Sequence, residues 1–186
     1  MSKIELHNAD LKQTYPSLEY AASLLLSSGL RIAVAESCTG GLLGGALTGV
    51  SGSSAYMLGG VIAYADAVKQ SLLSVPSEVV VKHGAVSEEC ALAMAWGVTS
   101  LLGADIGVSI TGISGPDGGS EAKPVGTTYI ALVAPGFDRV SHFVWNGNRA
   151  ANRALSVEAA LLMIVEYIKS LESKSSDKIA MQERHS

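Results

Sequence analysis

Apolar positions recur at helical spacing between Pro16 and Ser28, where Leu18, Ala21, Ala22, Leu25 and Leu26 gather on one face. Pro16 suits a first helical position and Gly29 a stop, so the pattern predicts a helix over 16–28. The continuous apolar run at 31–35 predicts a buried strand, and 41–47 predicts the opening turns of a second helix. Residues 48–54 have loop composition. A second strand is predicted over 58–64, where Gly59 and Gly60 mark a bulge or a close backbone approach. Residues 65–73 then turn helical, and 76–82 predict a short helix.

Ser87 is placed to cap a long amphipathic helix, with Glu88 and Glu89 in its first turn and Gly103 past its end. A third strand is predicted over 106–111. Residues 112–124 are too rich in Gly and Pro for regular structure, and a loop of that length in a compact domain is functional or disordered. Two β-rich runs, 125–133 and 139–145, predict an antiparallel hairpin. A terminal helix is predicted over 149–171, with Leu155, Ala159, Leu162 and either Ile164 or Val165 inside. This order implies an α/β fold, a three-layer α/β/α sandwich on a mixed, mostly parallel five-stranded sheet. Residues 1–15 are expected to form a loose arm, 16–171 a single domain, and 172–186 a frayed polar tail. Right-handed crossovers would bring the connectors at 36–41, 64–69 and 111–124 to one sheet edge.

Composition narrows the function classes. A formal charge of −4 without a basic run argues against nucleic acid as the main partner. No apolar stretch reaches the roughly 18–20 residues that span a bilayer, and the first ten residues are polar, so no membrane partner and a cytoplasmic location are expected. Cys38 and Cys90 cannot make a zinc site alone, and the four histidines show no ligand spacing, so neither a metal nor a cofactor is expected. The apolar composition and the exposed hairpin edge predict a homodimer or higher homo-oligomer.

The candidate chemistry centres on Ala35-Glu36-Ser37-Cys38-Thr39-Gly40-Gly41, where a strand breaks and re-enters a helix. Unpaired N–H groups at such a corner can hold an anion or an oxyanion. Ser37 and Cys38 compete as nucleophile, and both also suit a tight corner as small packing groups. Tyr64 and Lys69 straddle a second strand-to-helix corner. A lysine in an apolar, electropositive setting can lose its charge and act as general base for a serine, whereas a solvated helix lysine does nothing. Tyr64 by itself reads as a core residue with its hydroxyl at the rim. Arg149 and Arg153 open the last helix, where cations are unfavourable, and an anionic ligand would explain them. Asp117, Glu121 and Lys123 either order the 112–124 loop or solvate it.

Four stretches together resemble the CinA carboxy-terminal family of competence/damage-inducible proteins. They are 35–41, Ser51-Gly52-Ser53-Ser54, His83-Gly84-Ala85-Val86-Ser87, and 112–119 with Lys123-Pro124-Val125-Gly126-Thr127. The resemblance covers about residues 16–171, and the family includes stand-alone nicotinamide mononucleotide deamidases. It implies hydrolysis of that mononucleotide to nicotinic acid mononucleotide and ammonia, in pyridine nucleotide salvage, by a serine–lysine pair without metal or cofactor. On this resemblance Ser37 is the nucleophile, Lys69 the base and Tyr64 its helper. Backbone near Thr39, Gly40 and Gly41 is the oxyanion site, Thr111 and Gly112 line the nucleotide, and Arg149 or Arg153 holds the phosphate. The alternative function is a non-catalytic nucleotide-binding or regulatory module of the same fold.

Overall fold

The structure is a computed structural model that describes the backbone of residues 11–183, with side chains through Ser173. The elements run α1 (Leu11–Thr14), α2 (Leu18–Ser28), β1 (Ile32–Glu36), α3 (Leu42–Thr48), β2 (Met57–Ile62), α4 (Asp66–Leu73) and α5 (Ser77–His83). They continue with α6 (Glu88–Leu102), β3 (Ile106–Gly112), β4 (Thr127–Ala134), β5 (Phe137–Val144) and α7 (Arg149–Glu183). The five strands lie in the order β2-β1-β3-β4-β5. Strand β1 pairs parallel with β2 and β3, while β4 runs antiparallel to β3 and β5. The sheet is therefore mixed, and four of its five strands point the same way although only two of its four pairings are parallel.

Side-chain alternation along β1 assigns the two helical layers. Ile32 and Val34 enter the core beneath α2, α3 and α7, and Ala33 and Ala35 enter the core beneath α4 and α6. Small residues on the second face let α6 sit close. A Cβ on Gly107 of β3 would strike Thr99 and the Ala95 carbonyl of α6, and one on Gly97 of α6 would overlap the Leu73 carbonyl of α4. The bulge falls at Leu58, just before Gly59, and Gly60 makes the close approach. The β1–β2 register shifts at the bulge, and a Cβ on Gly60 would lie 2.9 Å from the Val34 carbonyl oxygen.

Local signals behaved as their chemistry requires at α6, where the Ser87 hydroxyl accepts from the Cys90 N–H at 3.2 Å and Gly103 closes the helix at φ 64°. Other expectations need correction. Pro16 stands two residues ahead of α2, which opens at Leu18. Residues 11–15 are not a loose arm, because Leu11 packs against the core and Tyr15 is buried in it; residues 1–10 lie outside the described residues. Helix α7 continues past 171 to Glu183, a stretch with no Gly or Pro to stop it. Its inner face is Val157, Ala160, Leu161, Ile164 and Ile168, joined by Ala159 and Val165, while Leu155 and Leu162 are exposed. No helix among the described residues is long and apolar enough to cross a membrane.

The Gly97 contact positions α4 against α6 and gives a first prediction. Gly97→Ala is expected to lower stability by about 1–3 kcal/mol, because the added methyl meets backbone rather than a movable side chain. Urea denaturation should show a lower midpoint at unchanged m. An unaltered midpoint would mean that α4 and α6 can part at no cost.

Candidate active site

Glu36 pairs with Ile62 of β2 and with Ile110 of β3, so three parallel strands end side by side. The connectors that leave those ends enclose a cavity of about 270 Å³ whose lining includes Ser37, Tyr64, Lys69, Thr111, Gly112 and Arg149. This is the carboxyl edge of the parallel strands, where open α/β sheets bind ligands. Of the predicted site residues, Thr39, Gly40, Gly41 and Arg153 do not line it.

The reason lies in strand parity. Glu36 continues the Ile32–Val34 row and points toward α3, where it is 1% exposed. Its carboxylate accepts from the N–H groups of Gly41 at 3.0 Å, Leu43 at 3.1 Å and Gly44 at 2.8 Å. The anion that the start of α3 holds is the chain's own. Gly40 donates its N–H to the Ser37 carbonyl at 3.1 Å. Gly40 and Gly41 have φ values of 59° and 96°, which make the turn that returns the chain to Glu36. The expected oxyanion donors at Gly40 and Gly41 are thus already used. Gly41 instead borders a separate groove of about 500 Å³ between α3 and β2, on the other face of the sheet edge.

Lys69 is 1% exposed, and its Nζ donates to the Tyr64 carbonyl at 3.2 Å and to Asp66 Oδ1 at 3.1 Å. Lys69 is therefore not a solvated helix lysine. The contact with Asp66 sets a carboxylate beside the amine, not the electropositive setting that would release its proton. Tyr64 is 61% exposed rather than a core residue, and its hydroxyl accepts from Arg149 at 3.2 Å. Arg149 also donates to the Gly115 carbonyl at 2.7 Å, and Arg153 donates to the Thr39 carbonyl at 2.7 Å. Arg153 therefore braces the Ser37 corner, whereas Arg149 spans the mouth of the cavity. The Thr111 hydroxyl donates to the Ala85 carbonyl at 2.7 Å.

A family model described as the CinA C-terminal domain matches residues 16–168. The chain belongs to the CinA C-terminal domain family. A CinA-like protein of Citrifermentans bemidjiense is 47% identical over 147 residues, covering 79% of this chain and 36% of the relative. A putative competence-damage inducible protein of Desulforudis audaxviator is 45% identical over 145 residues, covering 78% of this chain and 35% of the relative. The chain thus spans about a third of the length of these curated relatives. Among solved structures, a CinA superfamily protein from Klebsiella pneumoniae superposes with a TM-score of 0.81 at 34% identity, covering 84% of this chain and 98% of that one. A competence/damage inducible protein from Agrobacterium tumefaciens gives a TM-score of 0.80 at 34% identity, with 88% and 98% covered.

In this CinA domain the loop after β3 is irregular but tied down. Lys123 Nζ donates to the His83 and Val86 carbonyls at 2.8 and 2.6 Å, and Asn152 Nδ2 donates to the Ser114 carbonyl at 3.2 Å. Lys123 thus orders the loop rather than solvating it. Sequence reasoning passed over Glu36, Asp66 and Asn152. The parity of Ile32-Val34-Glu36 could have found the first, and the i,i+3 acid–lysine spacing the second.

Cys38 and Cys90 are both buried and unpaired. Burial pushes the Cys38 thiol up, with the Ser114 hydroxyl opposing, and burial pushes Cys90 up to about 11, with Lys69 opposing. A raised thiol is a poor nucleophile near neutral pH. Native-state alkylation by iodoacetamide, followed by mass spectrometry, should therefore be slow at both cysteines near neutrality and accelerate only as pH rises past the ordinary thiol range. Rapid neutral labelling of Cys38 would contradict this. Separately, Glu36→Ala should cost at least about 2 kcal/mol in urea denaturation, since it orphans three N–H donors at the α3 start. A cost near zero would show that the α3 start does not need the carboxylate.

Proposed function

We propose that this CinA domain is an amidohydrolase that cleaves the carboxamide of nicotinamide mononucleotide, releasing ammonia and nicotinic acid mononucleotide through an acyl-enzyme on Ser37. One observation supports the reading above the rest: a serine, a buried lysine and a tyrosine hydroxyl line a single cavity at the carboxyl edge of the parallel strands. The family resemblance supplies the substrate.

In this account Lys69, as free amine, takes the Ser37 proton while Oγ attacks the carboxamide carbon. The oxyanion faces the N–H of Cys38, a residue that lines the cavity and whose N–H has no acceptor among the described residues other than its own thiol. Well-placed donors of this kind contribute on the order of 3–4 kcal/mol each. The C–N bond then breaks, and Lys69 returns its proton to the departing nitrogen, which leaves as ammonia. Water attacks the acyl carbon and gives a proton to Lys69, the ester bond to Oγ breaks, and Lys69 passes that proton to Oγ, which regenerates Ser37 and the free amine. Arg149 donates to the Tyr64 oxygen, so the tyrosine proton stays free to donate toward the reacting groups. Arg149 is also the arginine for the 5′-phosphate: it uses two bonds on protein oxygens and retains further donors at the cavity. The positive pyridinium ring makes the carboxamide more electrophilic.

The test is ammonia release from the mononucleotide, with nicotinamide and its riboside as controls. Wild type should turn over the mononucleotide alone. Ser37→Ala and Lys69→Ala should each lower kcat by about 10²-fold or more, and Arg149→Ala should mainly raise KM. Undiminished turnover by Ser37→Ala would overturn the mechanism. Mononucleotide binding without ammonia release by wild type would make the domain a binding module instead.

A further inference from the structure

Lys69 has little freedom. Its side chain is 2% exposed, so Nζ cannot swing into solvent, and its contacts are one carbonyl and one carboxylate. Asp66 occupies the first turn of α4, where the helix N–H groups favour a negative charge, and i,i+3 spacing directs it onto Lys69. Asp66 itself is half exposed at 51%. Burial favours the free amine of a lysine, whereas a carboxylate in contact favours the ammonium. The two influences on Lys69 therefore oppose one another, and only one of them belongs to a replaceable side chain.

Other charged or titratable groups face the same cavity. Tyr64 comes from the β2–α4 connector, Arg149 from α7 and Asp117 from the loop after β3, while Ser37 and Cys38 come from the β1–α3 corner. Cys90 of α6 interacts electrostatically with Lys69 and Asp66, and with Lys123 of the loop. Cys90, pushed up to about 11, stays uncharged through the neutral and mildly alkaline range. Among the described residues Asp66 is the carboxylate within ion-pair distance of Lys69.

We propose that Asp66 is a positioning residue that acts through Lys69, holding it as an ammonium aimed into the cavity and so setting the pH at which the lysine becomes available as base. This rests on the amidase reading for its consequence in catalysis, but not for the contact itself. A base lysine held this way makes kcat/KM rise with pH, and the midpoint of that rise belongs to the Asp66–Lys69 pair.

The experiment measures kcat/KM against pH for wild type, Asp66→Asn and Asp66→Glu, and follows the Lys69 side-chain carbon resonance against pH in the same proteins without substrate. Lys69→Arg assigns the resonance. Loss of the carboxylate leaves burial unopposed, so Asp66→Asn should move both midpoints down by about one pH unit or more. Asp66→Glu, which keeps the charge, should bring both back toward wild type. Asp66→Ser serves as a second charge-free variant should the asparagine protein fold poorly. Equal Lys69 midpoints in wild type and the charge-free variants would overturn the proposal, even with ammonia release intact; so would lower activity at every pH with an unmoved midpoint. If no protein releases ammonia but the Lys69 resonance still shifts, Asp66 keeps its role and the amidase reading fails alone.

Discussion

The interaction on which the rest of the site depends is the buried Glu36 carboxylate and its three bonds to the start of α3. A carboxylate so far from water is tolerable only when its charge is met, and here, among the described residues, backbone N–H groups are its hydrogen-bond partners. The same bonds satisfy donors that a helix start must otherwise leave open. Because Glu36 is the last residue of β1, the helix is tied to the strand end, and the intervening residues 37–41 have little choice of path. Ser37 is thereby held at the cavity, and Arg153 braces the corner from α7 through the Thr39 carbonyl.

Alternation along β1 then separates two functions by one residue. Glu36 falls on the α3 face and is structural, while the next residue, Ser37, opens on the cavity that Lys69 lines from α4. The close seating of α6, made possible by Gly97 and Gly107, brings α4 and the α5–α6 connector up to that cavity. Lys123, Asn152 and Arg149 hold the remaining wall, the loop after β3. The cavity is a junction of elements from the whole chain, joined mostly through backbone carbonyls.

Much of this is legible in the sequence. The Ser87 cap, the Gly59–Gly60 interruption and the β4–β5 hairpin are short-range signals, and each marks the feature its local chemistry predicts. Helix α7 was harder, because its sequence carries two apolar rows. The row with Leu155 and Leu162 is exposed, and the row through Val157, Leu161, Ile164 and Ile168 meets the sheet; a periodic pattern alone does not say which row a neighbour will cover. Ser37, Tyr64, Lys69, Thr111, Gly112 and Arg149 do meet at one cavity. Thr39, Gly40, Gly41 and Arg153 do not: Gly40 and Gly41 donate to the Ser37 carbonyl and the Glu36 carboxylate within the corner itself, and Arg153 reaches from α7 to the Thr39 carbonyl. A helix start reads the same in sequence whether its anion is a ligand or a side chain already in the chain.

The central claim, that Ser37 carries the acyl group, is tested most directly by rapid acid quench of the protein mixed with excess nicotinamide mononucleotide, followed by peptide mass spectrometry. The account predicts a transient adduct, with the mass of nicotinamide mononucleotide less one ammonia, on the peptide that contains Ser37 and specifically on that serine. The same adduct on Cys38, or ammonia release with no covalent adduct at any time point while deacylation is slowed, would contradict it.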